Sequence, residues 1–103
     1  MTHALKLSVL YGHPSDPAAF EAHYHGSHLP LAGAIPGLGR SEVSKGLPGP
    51  DGSVPPFYRM FEAWFDSPSH LAAVRSTPEW LAATADLSNF ASGGVTVVLS
   101  ELS

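Results

Sequence analysis

Apolar residues recur at every second position near both ends of this chain, and what lies between those two stretches fixes the order of the fold. Leu5, Leu7, Val9 and Tyr11 alternate with Lys6, Ser8, Leu10 and Gly12, the period of a half-buried strand. A turn, His13-Pro14-Ser15-Asp16-Pro17, follows. Asp16 suits a helix N-cap and Pro17 a first helical position, so a helix is expected to start there and run through Phe20 and Tyr24. Gly26 or Pro30 should perturb it, and Ile35-Pro36-Gly37 should end it. A second strand is expected over Leu38 to Lys45, then a loop of turn formers from Gly46 to Pro56. Phe57 to Phe65 reads as the strongest strand. Phe57, Phe61 and Phe65 fall on one face of it, with Tyr58, Met60 and Trp64 on the other. Ser67-Pro68 caps a further helix through Leu71 and Val74, and Thr77-Pro78-Glu79 starts another through Trp80, Leu81, Thr84 and Leu87. Gly93-Gly94 leads into a last strand, Val95 to Leu102. The order is β-α-β-β-α-β, the α+β class with a ferredoxin-like, antiparallel four-stranded sheet and a second helix broken in two.

Such a sheet carries helices on one face and needs cover on the other. Tyr58, Met60 and Trp64 make that second face too apolar for water, so two copies are expected to pack sheet to sheet as a homodimer. Composition agrees: of 103 residues, 14% are charged, against roughly 25% in typical soluble domains. The length suits a single domain over residues 1–103. A net charge of −4 without a Lys/Arg cluster argues against nucleic acid. There is no cysteine, which excludes disulfides, thiolate metal sites and a Cys nucleophile. No apolar run approaches the ~18 residues of a membrane span, and the N-terminus reads as a strand rather than a signal peptide. A cytoplasmic location is the expectation.

Chemistry concentrates in His23-Tyr24-His25-Gly26-Ser27-His28, which holds three of the six histidines. At ~100° per residue, Phe20, Tyr24, His28, Leu31 and Ile35 share a sector of roughly 80°, so His28 points where core residues point. His23 and His25 lie off that stripe, about 200° apart. His28 reads either as a buried histidine satisfied by a carbonyl or a tyrosine, or as a pocket-lining general acid/base beside Tyr24. The H-x-H-x-x-H spacing raises a zinc site. Helical geometry splays the rings, however, and no second carboxylate-rich ligand set accompanies them, so no metal is expected. His13 could approach the cluster, whereas His3 and His70 read as solvated.

Elsewhere, Arg59 shares a face with Phe57 and Phe61 and could reach an anionic substrate or snorkel as a strand charge. Glu62 reads as an interface carboxylate or a paired edge charge. Asp86 reads as a solvated residue or a cap partner. No P-loop, dinucleotide or G-x-S-x-G fingerprint occurs, so no cofactor is expected.

The run Tyr11-Gly12-His13-Pro14-x-Asp16-Pro17-x-x-Phe20-x-x-His23-Tyr24-x-x-x-His28-Leu29-Pro30-Leu31 resembles the signature of EthD-type proteins. So do Ile35-Pro36-Gly37-Leu38, Phe65-Asp66-Ser67 and Ala85-Asp86-Leu87-Ser88-Asn89-Phe90. The resemblance implies a dimeric α+β barrel with a helix-facing pocket in which His28 matches the motif histidine and Tyr24 its aromatic neighbour. The family takes its name from ethyl tert-butyl ether degradation. Related proteins include cofactor-independent enzymes acting on polyketide or aromatic intermediates. The motif fixes neither the reaction nor a role for Asp86 and Asn89.

The expected function is therefore a cofactor-independent enzyme of lyase, isomerase or oxygenase type acting on a small carbonyl or phenolic molecule. His28 and Tyr24 are the expected catalytic residues, with Tyr11, Phe20, Leu31, Tyr58 and Arg59 binding substrate. Tyr24, Tyr11 or Tyr58 could donate to an oxyanion. The alternatives are an accessory protein that binds a hydrophobic metabolite, and a haem-binding barrel using His28.

Overall fold

The computed structural model describes residues 4–103, so the reading of His3 lies outside the described residues. Four strands, β1 (Leu5–Tyr11), β2 (Ser41–Lys45), β3 (Arg59–Phe65) and β4 (Val95–Glu101), form one sheet in the order β2-β3-β1-β4, each neighbour antiparallel. The helices are α1 (Pro17–His23), α2 (Leu29–Gly33), α3 (Pro68–Arg75) and α4 (Pro78–Asp86). A π-helical turn, Tyr24–His28, joins α1 to α2, and a 3-10 turn, Leu87–Asn89, follows α4. This is the ferredoxin-like α+β fold.

The helix starts follow the caps. Asp16, Ser67 and Thr77 accept from the backbone N–H groups of Ala19, His70 and Trp80, and a proline occupies the next position each time. Those side chains satisfy amides that the first turn leaves free, where a proline loses nothing.

Leu7 of β1 stands opposite Ala63 of β3 and Leu99 of β4. It shares an aliphatic core with Ala32, Ile35, Phe65, Leu71, Val74 and Ala83. A second, aromatic core of Tyr11, Phe20, Tyr24, Tyr58 and Phe90 fills the end of the sheet beside α1. There β1 and β4 close tightly: a Cβ on Gly12 would lie 2.1 Å from the Gly93 carbonyl oxygen. Only glycine admits that backbone approach.

Three details correct the expectations. Pairing of β2 begins at Ser41 rather than Leu38, because Leu38 turns its side chain into the aliphatic core. Similarly, β3 begins at Arg59 rather than Phe57. A bend at Tyr58 breaks the alternation, so Tyr58 leaves the Met60/Trp64 face and is buried against Phe20, ring centroids 5.0 Å apart. The outer face is consequently more mixed than expected. Leu10, Met60, Trp64 and Val98 share it with a Lys6–Glu62 ion pair at 3.0 Å, and the Arg40 guanidinium lies 4.2 Å from the Trp64 ring centre. Glu62 is thus a paired charge, on a central strand rather than at the sheet edge.

Two histidines also change role. His70 is half-buried rather than solvated: Nδ1 accepts from the Asp66 amide at 3.0 Å and Nε2 donates to the Gly37 carbonyl at 2.8 Å. His13 donates from Nε2 to the Pro55 carbonyl at 2.7 Å and so holds the long loop rather than joining the histidine segment.

Candidate active site around His28

The π-helical turn builds the site. Pro30 has no amide to offer the carbonyl four residues back, and that carbonyl belongs to Gly26, a weak helix former. The helix widens there, and the Leu29 amide bonds the Tyr24 carbonyl five residues back. Residues five apart are thereby brought towards one side. His23 and His28, which a regular helical wheel separates, reach the same carboxylate.

That carboxylate is Asp86, at the end of α4 and 7% exposed. His23 Nε2 donates to Oδ1 and Oδ2 at 2.9 and 3.0 Å, His28 Nδ1 donates to Oδ2 at 2.9 Å, and Asn89 Nδ2 donates to Oδ1 at 3.0 Å. Asp86 is therefore neither solvated nor a helix cap. Burial pushes its carboxyl up, but the donors Asn89, His23 and His28 outweigh that and hold it below the usual carboxylate range.

A carboxylate is an acceptor only, so His28 carries its proton on Nδ1 and leaves Nε2 bare. Burial holds His28 below the ordinary histidine value, prevailing over the raising effect of Asp86. The Tyr11 hydroxyl stands 3.5 Å from Nε2, a stretched contact. Burial pushes the Tyr11 phenol well up, and Tyr24 and Asp86 push it further, so it stays protonated at neutral pH.

His28 and Tyr11 are the polar end of a cavity of about 100 Å³ between sheet and helices. Leu7, Val9 and Phe61 floor it, Ala32, Ile35, Trp80 and Ala83 roof it, and Val97 stands at its edge, 59% exposed. Thr84 also lines it but spends its hydroxyl on the Trp80 carbonyl at 2.7 Å. Among the described residues lining it, none is Lys, Arg, Asp or Glu. An engineered cavity of about 150 Å³ holds benzene, so this space suits one small ring or less and not a haem.

The expected site residues divide accordingly. Tyr11 and His28 meet at the cavity; Tyr24, Phe20, Leu31, Tyr58 and Arg59 are not among its lining residues. Tyr24 stacks on His28, ring centroids 5.9 Å apart and planes within 17°, and its buried hydroxyl has no hydrogen-bond partner among the described residues. Burial raises that phenol to about 12. Leu31 packs against the aliphatic core. Arg59 is paired rather than free for an anion: Nε donates to Glu21 Oε2 at 2.9 Å and a terminal nitrogen to Oε1. Tyr58 donates to the same carboxylate at 3.0 Å. Arg59 first, then Tyr58, hold Glu21 down to about 2. His25 joins this group, 3.4 Å from Glu21. The segment's histidines thus split between two carboxylates.

Neither Glu21 nor Asp86 was singled out from the sequence as a partner of these groups. One signal was available for Asp86. An acidic residue in the last helical turn opposes the helix dipole, so a position like that of Asp86 calls for compensating donors.

The EthD domain matches residues 13–94. The chain belongs to the EthD family. This EthD protein is 38% identical over 96 residues to an uncharacterized 11.0 kDa protein of the thcB-thcC intergenic region in Rhodococcus erythropolis, covering 93% of the chain and 92% of that relative. A crystal structure of an ethyl tert-butyl ether degradation family protein from Bacillus halodurans superposes with a TM-score of 0.88 at 34% identity, covering 97% and 99% of the two chains. A protein of unknown function from Thermobifida fusca, described as dimeric and ferredoxin-like, gives a TM-score of 0.72 at 16% identity, covering 99% and 93%. These likenesses place the EthD protein in its family and fold and assign it no reaction.

Proposed function

We propose that this EthD protein is a cofactor-independent enzyme that removes a proton next to a carbonyl, or from a phenolic hydroxyl, of a small uncharged molecule. The observation that carries this reading is the bare Nε2 of His28, fixed from behind by Asp86 and opening on an apolar cavity beside the Tyr11 hydroxyl. His28 Nε2 takes the proton, the electron pair of the broken C–H bond moves onto the carbonyl oxygen, and Tyr11 O–H donates to the resulting oxyanion. The imidazolium keeps its Nδ1 proton on Asp86, whose negative charge favours it. Tyr24, expected to act on substrate, here supports the His28 ring. A charged substrate finds no counter-ion among the described residues lining the cavity, which favours neutral ketones and phenols.

The same reading includes a homodimer. Leu10, Met60, Trp64 and Val98 leave apolar surface on the outer face of the sheet, and the Thermobifida fusca relative is described as dimeric. Covering that face leaves the helix side of each copy free to serve as a pocket.

The test needs no knowledge of the natural substrate. A panel of small neutral ketones is incubated with the protein in D2O, and loss of the hydrogens beside the carbonyl is followed by NMR. Exchange above the buffer rate that disappears in His28→Ala supports the reading. Equal exchange in that variant, or none with any ketone, contradicts it.

A further inference from the structure

Asp86 serves two imidazoles that face different surroundings. His28 opens on the apolar cavity and its side chain is 8% exposed. His23 is 30% exposed and borders a separate polar cleft lined by Ser15, Asp16, Ser88, Asn89 and Ser92. Its ring stacks on Phe90 (centroids 5.1 Å apart, planes within 17°), and Phe90 in turn packs on His28 at 4.7 Å. His23 is thus held rigidly against the solvent side of the carboxylate that orients the base.

We infer that His23 is a positioning residue that sets the proton affinity of His28 through the carboxylate they share. The inference rests on the reading of His28 as the base. One carboxylate cancels one positive charge. A cation at His23 keeps water on its exposed edge, whereas a cation at His28 gives up hydration to the apolar cavity. With His23 charged, Asp86 is already neutralised, and a second proton on His28 leaves a net charge in a buried network. A charged His23 therefore opposes protonation of His28 across the carboxylate they share. The other titratable groups facing His28 are Tyr11 from β1 and Tyr24 from the preceding turn, both held neutral by burial. Arg59 stands behind the Tyr24 ring and is bound to Glu21.

The test is an NMR pH titration of the His28 ring nitrogens in the intact protein and two variants. His23→Gln can still donate to Asp86 without the charge, and His23→Lys restores a cation. The His28 midpoint is expected to rise by about one pH unit in His23→Gln, a tenfold gain in proton affinity. It should stay near the wild-type value in His23→Lys. An unchanged or lower midpoint in His23→Gln overturns the inference, and so does an equal rise in both variants, which marks a packing effect. Failure of the base reading looks different: His28 then carries its proton on Nε2 at neutral pH, whatever His23 does.

Discussion

His28 Nδ1 lies 2.9 Å from Asp86 Oδ2, across 58 positions of sequence, and both side chains are 8% exposed. The contact joins the π-helical turn to the end of α4 and decides which nitrogen of His28 meets the cavity. It is buried on both sides, so its loss has structural as well as chemical consequences.

Asp86→Asn keeps the shape and removes the charge. With hydrogen bonds to charged groups contributing about 1.5–3 kcal/mol, this variant should lose about 2 kcal/mol of stability, read as a lower urea midpoint with an unchanged slope. Carbonyl-adjacent exchange in D2O should fall with it, since the amide can donate to Nδ1 and favour the other tautomer. A variant with wild-type stability and exchange removes Asp86 from the site.

Tyr24→Phe should go the other way. The buried Tyr24 hydroxyl has no partner among the described residues, and an unsatisfied buried polar group costs about 1–3 kcal/mol. Its removal should raise the urea midpoint and leave exchange intact, while Tyr11→Phe should slow exchange. If Tyr24→Phe abolishes exchange, the oxyanion donor has been assigned to the wrong tyrosine.

Acid stability follows from three groups. Glu21, held down to about 2 by Arg59 and Tyr58, and Asp86, held low by its three donors, contribute stability present above the ordinary carboxylate range. That stability is lost as the pH falls through their folded values. His28 is also held low, so below about pH 6.5 the unfolded chain takes up a proton that the folded one refuses. Stability should therefore start to fall below about pH 6.5 and decline further below about pH 4. A urea midpoint that is flat from pH 7 to 5 contradicts the His28 part, and His28→Gln should flatten that limb selectively.

The proposed dimer has a direct check. Sedimentation at micromolar concentration should give twice the chain mass of 10.8 kDa, and Trp64→Glu should shift the balance towards single chains by placing charge on the outer face. A stable single chain in the wild type excludes the sheet-to-sheet arrangement.

The order of elements along the chain and the starts of α1, α3 and α4 were legible because they depend on local signals: alternation in β1, and the Asp16-Pro17, Ser67-Pro68 and Thr77-Pro78 caps. The separate start of α2 at Leu29, which has no capping side chain, was not. Alternation failed at Tyr58, where a bend set by packing against Phe20 overrides it. His28 was legible as an inward-facing histidine, since the wheel needs only its own helix. Its partners were not. Asp86 and Glu21 meet their histidines through tertiary contacts, and the wheel separated His23 from His28 because it assumes a regular helix where Gly26 and Pro30 force a wider turn. Arg59 looked like a free cation for the same reason: Glu21 lies on another element.

The proposed chemistry requires that Nε2 of His28, not Nδ1, be the bare nitrogen. Nitrogen-15 NMR of the imidazole at pH 7 reports this directly, through the long-range correlations of Nδ1 and Nε2 with the ring protons. The expected result is a protonated Nδ1 and an unprotonated Nε2, with the Nε2 signal moving when phenol is added. A protonated Nε2 in the unliganded protein, or an Nε2 signal indifferent to phenol at saturating concentration, contradicts the assignment of His28 as the base.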